Sequence, residues 1–212
     1  MNGLDKRLSE IVSNLKPGDR VADVGCDHGK VAVAAVKITE NRVIATDISA
    51  PSLKKAVELA DRSGVSDMID FRVGDGVSVL KNGEADTLVV AGMGGIEIAG
   101  MIGTLRFRKY VLCPHSSEKE LREKIINENI VIQRDYPVFS KGKFYRVIVA
   151  GEGEKTENDY TEAELLFGKT DEGDWEEYLS FEKQKIQSVE KVARGERKAQ
   201  LQRELALLEE LK

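Results

Sequence analysis

Carboxylates and glycines alternate through Val21-Ala-Asp-Val-Gly-Cys-Asp-His-Gly29, and another carboxylate closes the run Val43-Ile-Ala-Thr-Asp47. Glycine at 25 and 29 lets a turn of backbone approach a ligand without a Cβ in the way. Asp47 lies twenty-four residues after Asp23, about where a βαβ unit places the carboxylate that accepts from ribose hydroxyls. Gly74-Asp75-Gly76 follows a third apolar run, and Asp75 can accept from an adenine amino group. Ala91-Gly-Met-Gly-Gly95 follows a fourth, offering backbone groups and room for a flat substrate.

The charge around the first turn narrows the ligand. Asp23-x-Gly25-x-Asp27-x-Gly29 differs from the dinucleotide fingerprint Gly-x-Gly-x-x-Gly by placing carboxylates about the turn. A pyrophosphate is repelled there, which disfavours NAD, whereas the sulfonium and ammonium of S-adenosylmethionine are attracted. The expected cofactor contacts are Asp23, Gly25, Cys26, Asp27, His28, Gly29, Asp47, Ile48, Gly74, Asp75, Gly76, Ala91 and Gly92. No metal is expected, because Cys26-x-His28 and Cys113-x-His115 lack the Cys-x₂₋₄-Cys spacing of structural zinc sites.

These residues need a scaffold that brings strand ends together. Strands are predicted at 20–24, 42–47, 69–73, 86–91 and 109–113, with helices at about 30–39, 51–63, 76–81, 95–103 and 117–128 between and after them. Alternating strands and helices imply a parallel sheet covered on both faces. An amphipathic helix carrying Leu4, Leu8, Ile11, Val12 and Leu15 precedes it and stops at Pro17-Gly18. Ile130–Tyr136 and Phe144–Ala150 are β-rich runs joined through Pro137 to Lys143 with no helix between, so an antiparallel hairpin closes the sheet. That ending marks the Rossmann-like class I methyltransferase variety of α/β fold, with a mostly parallel seven-stranded sheet.

Residues 1–151 are expected to form this domain and 152–212 a small helical, coiled-coil-like one. Beyond an acidic linker, Trp175, Leu179, Ile186, Val189, Ala193, Leu201, Leu205 and Leu208 make a near-helical stripe, interrupted at Gly195. Helices from about 174 to 193 and 196 to 212 are expected to fold back on each other. The net charge of -5 divides unevenly: 22 basic against 20 acidic residues in 1–150, hence +2, and 10 against 17 in 151–212, hence -7. Ten basic residues fall within 104–146, a cluster suited to phosphates. Two cysteines in apolar or glycine-rich segments suit a reducing compartment, and no membrane span or signal core is apparent, so a cytoplasmic protein is expected.

Leu4-Asp-Lys-Arg-Leu8, Ala22-Asp-Val-Gly-Cys-Asp-His28, Gly74-Asp-Gly76, Ala91-Gly-Met-Gly-Gly95 and Gly142-Lys-Phe-Tyr-Arg-Val-Ile-Val-Ala150 resemble the bacterial tRNA (adenine-22-N1)-methyltransferases over about residues 4–150. The resemblance implies methyl transfer from S-adenosylmethionine to N1 of a tRNA D-loop adenine; a monomer or weak dimer is expected. Other substrates within the same fold, or cofactor binding without catalysis, are the alternatives. N1 carries a lone pair and no proton, so positioning should dominate, with Asp27, Gly92 and Met93 as the candidates beside the reacting base. Arg7, Lys30, His115, Arg106, Arg108, Lys141 and Lys143 are the candidate RNA contacts. The chain departs from the family at Asp27-His-Gly-Lys-Val31, against the common Asp-His-Ala-Tyr-Leu, and at Cys113-Pro-His115, against Gln-Pro-Asn. Its C-terminal part also reads as shorter than is usual in the family.

Overall fold

A computed structural model of the chain describes residues 3–153, 160–170 and 172–211, so residues 154–159 of the expected linker lie outside the description. Seven strands, β1 (Val21–Val24), β2 (Val43–Asp47), β3 (Ile69–Val73), β4 (Thr87–Ala91), β5 (Lys109–Cys113), β6 (Val131–Ser140) and β7 (Lys143–Gly151), form one sheet in the order β3-β2-β1-β4-β5-β7-β6. β7 runs antiparallel to both of its neighbours, while β1 to β5 pair in parallel. The sheet is the Rossmann-like methyltransferase arrangement read from the sequence.

Period-two alternation sorts the strand side chains onto two faces. Val21, Ala45, Val89, Val111, Val147 and Val149 pack with α1 (Lys6–Ser13), α2 (Lys30–Thr39) and α3 (Ala50–Arg62). Ala22, Val24, Leu88, Val90, Leu112 and Ile148 face α4 (Gly95–Met101) and α5 (Glu118–Asn127). Both faces are dry, which is why the strands read as apolar runs.

Three expectations are corrected. Residues 76–81 make turns instead of a helix: Ser78 N–H donates to Asp75 O and Leu80 N–H to Val77 O, and Gly76 sits at φ +55°. The span is too short to nucleate a helix against glycine's entropy, so burial of Val77 and Leu80 is achieved by tight turns. The hairpin loop is only Lys141-Gly142, both at positive φ, and strand pairing continues through Pro137, which lies opposite Arg146. Proline is admitted there because β6 is an edge strand. The basic segment 104–146, finally, is no single surface patch. Arg122 and Arg146 are buried against Asp135, and Arg134, Lys109 and Lys124 are paired with Glu172, Asp19 and Glu128.

The C-terminal region holds α6 (Glu162–Phe167), α7 (Trp175–Glu190) and α8 (Gly195–Glu209). Ion pairs Lys183–Glu209 and Lys198–Glu190 show that α7 and α8 run antiparallel, with the chain reversing just before Gly195. Leu179, Ile186, Leu201 and Leu208 bury their side chains between them, whereas Val189 stays exposed near the reversal. The buried Arg122–Asp135–Arg146 triad ties this region to the sheet. Arg122 Nη1 donates to Leu165 O at the end of α6, and the Arg146 guanidinium lies 5.0 Å from the Tyr178 ring centroid and 5.4 Å from that of Trp175.

Candidate functional site

The five parallel strands all end on one edge of the sheet, which gathers Asp23, Asp47, Asp75, Gly92 and His115 there. The turn after β1 is clamped to β2, since Gly25 N–H and Cys26 N–H both donate to Thr46 O at 2.9 Å. Gly29 then opens α2 at φ +71°. A Cβ at this position would stand 2.7 Å from that of Ala56 on α3, so only glycine lets the two helices pack at this spacing.

Asp47 organises the acidic side. Its Oδ2 accepts from Asp27 N–H at 2.9 Å and its Oδ1 from Ser49 N–H at 2.8 Å. Each oxygen retains a lone pair for a hydroxyl. Asp27 sits at φ 47°, uncommon for a residue with a Cβ, and the Asp47 contact holds it there. The Asp27 side chain points away to pair with His28 Nδ1 at 2.6 Å and is 68% exposed, so it is less enclosed than its sequence role beside a reacting base implies.

Asp23 is the unusual group. It is buried within the sheet, and its Oδ2 has no hydrogen-bond partner among the described residues. Burial pushes its carboxyl up to about 7, helped by Asp47 and opposed by the N–H of Ala32. It lines a cavity of about 300 Å³ together with Gly25, Cys26, Asp27 and His28. Burial and the surrounding carboxylates also push the Cys26 thiol far up, which excludes it as a thiolate nucleophile at neutral pH.

A second cavity of about 470 Å³ lies beside the first and holds Asp75, Gly76, Met93, Glu97 and Met101. Met93 is the partition, because its Sδ rests 3.1 Å from where a Gly25 Cβ would be. Ile48 and Val73, at the ends of β2 and β3, are 72% and 56% exposed. Gly74, with Gly76, shapes the turn that carries Asp75 into this second cavity.

Cations rim the first cavity at Arg7, Lys30 and Lys141, with Lys141 paired to Asp5. Arg7 reaches from α1 to His115, its Nη1 donating to Nε2 at 3.2 Å. A guanidinium can only donate, so this bond leaves the His115 proton on Nδ1. Burial, then Arg7 and Lys143, lower the His115 pKa and keep the ring neutral. His115 N–H in turn donates to Met93 O, tying it to the loop after β4. Sequence reasoning assigns no role to Tyr145, whose ring centroid lies 5.0 Å from the Arg7 guanidinium, 4.7 Å from Lys143 Nζ and 6.0 Å from the His115 ring. The available signal is its place two residues after Lys143 in a strand that has to pair with β5. Arg106 and Arg108 lie elsewhere. They precede β5, at the opposite edge of the sheet, where Arg108 pairs with Asp86. Among the described residues no group of three or more His, Cys, Asp or Glu could hold a metal ion, and no helix is long and apolar enough to cross a membrane.

The chain is similar to the tRNA (adenine(22)-N(1))-methyltransferase of Bacillus subtilis, with 30% identity over 158 residues, 72% of this chain and 66% of that protein. It therefore spans about two thirds of the length of that curated relative. The solved structure of the B. subtilis m1A22 tRNA methyltransferase TrmK is 27% identical, with a TM-score of 0.81, covering 100% of this chain and 99% of that one. The TrmK of M. capricolum, solved with S-adenosylhomocysteine, shares the fold at 19% identity and a TM-score of 0.85, covering 98% and 96%. Residues 4–148 match the family model described as a methyltransferase domain, and with the parallel sheet and its acidic glycine turn this shows that the chain belongs to the methyltransferase-domain family.

Proposed function

We propose that this methyltransferase uses S-adenosylmethionine to methylate N1 of an adenine in tRNA, adenine 22 of the D-loop. One observation carries the proposal: a single cavity is acidic within, lined by Asp27 and by Asp23, whose Oδ2 has no partner among the described residues, and cationic at its mouth, at Arg7, Lys30 and Lys141. A cationic cofactor suits the first charge and RNA phosphates the second.

The residues present fit the cofactor. Asp23 would take its ammonium, the turn Gly25–Gly29 with Cys26 and His28 would lie along its methionine portion, and Asp47 would take the ribose hydroxyls. Asp75, between Gly74 and Gly76, would hold the adenine with the exposed Ile48 as an apolar contact, and Ala91 would line the methionine side. When bound, the cofactor supplies an electrophilic methyl group on sulfur. Gly92 and Met93 would border the target base, whose N1 needs no general base. Neutral His115, fixed by Arg7, adds a donor to that side without adding a positive charge where the methylated base becomes cationic. Tyr145 is an aromatic surface for the base, and Lys141, Lys143, Lys30 and Arg7 are the phosphate contacts. Because N1 lies on the pairing edge, the base must be unpaired or extruded, at a cost of about a few kcal/mol. We assign cofactor work to residues 1–151, treat 152–212 as the helical domain, and place the protein in the cytoplasm with its RNA.

Incubation with unmodified tRNA and S-adenosylmethionine, followed by mass spectrometry of the nucleosides, should yield N1-methyladenosine at position 22. Cofactor binding without that product would redirect the reading to a methyltransferase of another substrate.

A further inference from the structure

Phe144 on β7 centres an aromatic cluster, with its ring 5.3 Å from Phe181 and 5.7 Å from Tyr178 of α7. A groove of about 350 Å³ runs between these rings and the loop after β5, and it shares His115, Lys143 and Tyr145 with the substrate side of the site. Arg146 forms part of its lining. The Arg146 side chain is 3% exposed, and its Nε and Nη2 are held by Asp135. Its Nη1 has no acceptor among the described residues. A buried charged donor left unpaired is costly, and the triad of two guanidinium groups on one carboxylate carries a net positive charge.

We infer that this groove is a second nucleotide subsite, where an unpaired base of the substrate RNA beside the methylated adenine stacks on Phe144 and Phe181, above the net positive charge of the buried triad, with Lys143 at hand for its phosphate. The inference rests on the RNA methyltransferase reading above. Aromatic faces combined with cations are how proteins hold unpaired bases. Phe181 keeps 37% of its surface exposed, and Lys143 stands at the groove for a phosphate. Glu118 and Glu182 also line it, the latter neutralised by Lys185. The wider groove that Phe144 also lines, about 630 Å³, carries the excess negative charge of Glu176 and Glu177 beside the Lys6–Asp174 ion pair, which disfavours phosphate there and leaves the Lys143 side as the path for RNA.

The test uses the full chain loaded with S-adenosylhomocysteine and a labelled, unmodified tRNA transcript carrying adenine 22. Phe181→Ala should weaken RNA binding about tenfold by fluorescence anisotropy, while Phe181→Trp restores it to within about threefold of the parent. S-adenosylhomocysteine affinity, measured by calorimetry, should be the same in all three proteins. Trp175, the one tryptophan of the chain, lies 5.7 Å from Tyr178, so its fluorescence should respond to RNA in the parent and lose that response in Phe181→Ala. RNA affinity within about twofold of the parent in Phe181→Ala overturns the subsite. A parent protein that binds S-adenosylhomocysteine but no tRNA is a different failure, and overturns the RNA reading itself.

Discussion

Lowering the pH from 8 to 6 should weaken S-adenosylhomocysteine binding about tenfold, through Asp23. Its carboxyl is pushed up to about 7 by burial, so in the cofactor-free protein it is mostly ionised at pH 8 and about one-tenth ionised at pH 6. An ammonium ligand prefers the carboxylate form, so affinity follows the ionised fraction, and a tenfold change is about 1.4 kcal/mol. The stability of the cofactor-free protein has the opposite sign. With the folded pKa raised above 3.8, Asp23 favours the fold fully below that value, and this stability is lost as pH rises through about 7. A carboxyl that ionises at about 7 instead of 3.8 makes the charged form cost about 4 kcal/mol at pH 8. Asp23→Asn should therefore raise the melting temperature of the cofactor-free protein at pH 8 and bind S-adenosylhomocysteine weakly at every pH. Calorimetry at pH 6, 7 and 8 with matched thermal melts would measure both. Any pH dependence that survives in Asp23→Asn belongs to another group. Flat affinity in the parent from pH 6 to 8, or parental affinity in Asp23→Asn, would refute the reasoning.

Asp47→Ala should abolish measurable cofactor binding while the protein stays folded. Two charge-assisted hydrogen bonds to ribose hydroxyls at about 1.5–3 kcal/mol each amount to roughly a hundredfold or more, and the turn at Asp27 loses its anchor as well; unchanged affinity by calorimetry would remove Asp47 from the site. Asp135→Asn should cost about 3–5 kcal/mol in denaturant unfolding, because it leaves Arg122 and Arg146 buried without their counter-charge. Burial alone would raise the Asp135 carboxyl, but the two guanidinium groups outweigh it and hold the pKa below the usual value, so this stability is retained above that value and lost on acidification.

What is legible in the sequence is local. The glycine turn, Asp47 and Asp75 follow strand ends by a few residues, so reading the strands correctly places the acids on one edge without knowledge of packing. The sequence does not disclose which charges are free. Arg122 and Lys143 look alike in a charge count, yet one sits in the interior against Asp135 and the other at the mouth of the site. Arg106 and Arg108 group with Lys141 by proximity in the chain, but the direction of β5 carries them to the far edge. Pro137 reads as a break because its edge position depends on strand order, a long-range property.

The same long-range property builds the substrate side. Because β7 runs antiparallel to β5, its first residues, and not its last, stand beside the end of β5, so Lys143 and Tyr145 arrive next to His115. Alternation then divides this short stretch between the two faces of the sheet. Tyr145 turns toward α1, where Arg7 meets it. Phe144 and Arg146 turn toward α7, where Phe181, Tyr178 and Trp175 meet them. A parallel seventh strand would present its opposite end at this edge and supply neither wall. The inversion that marks the fold is thus also what lets one strand serve the target base on one face and the proposed neighbouring base on the other.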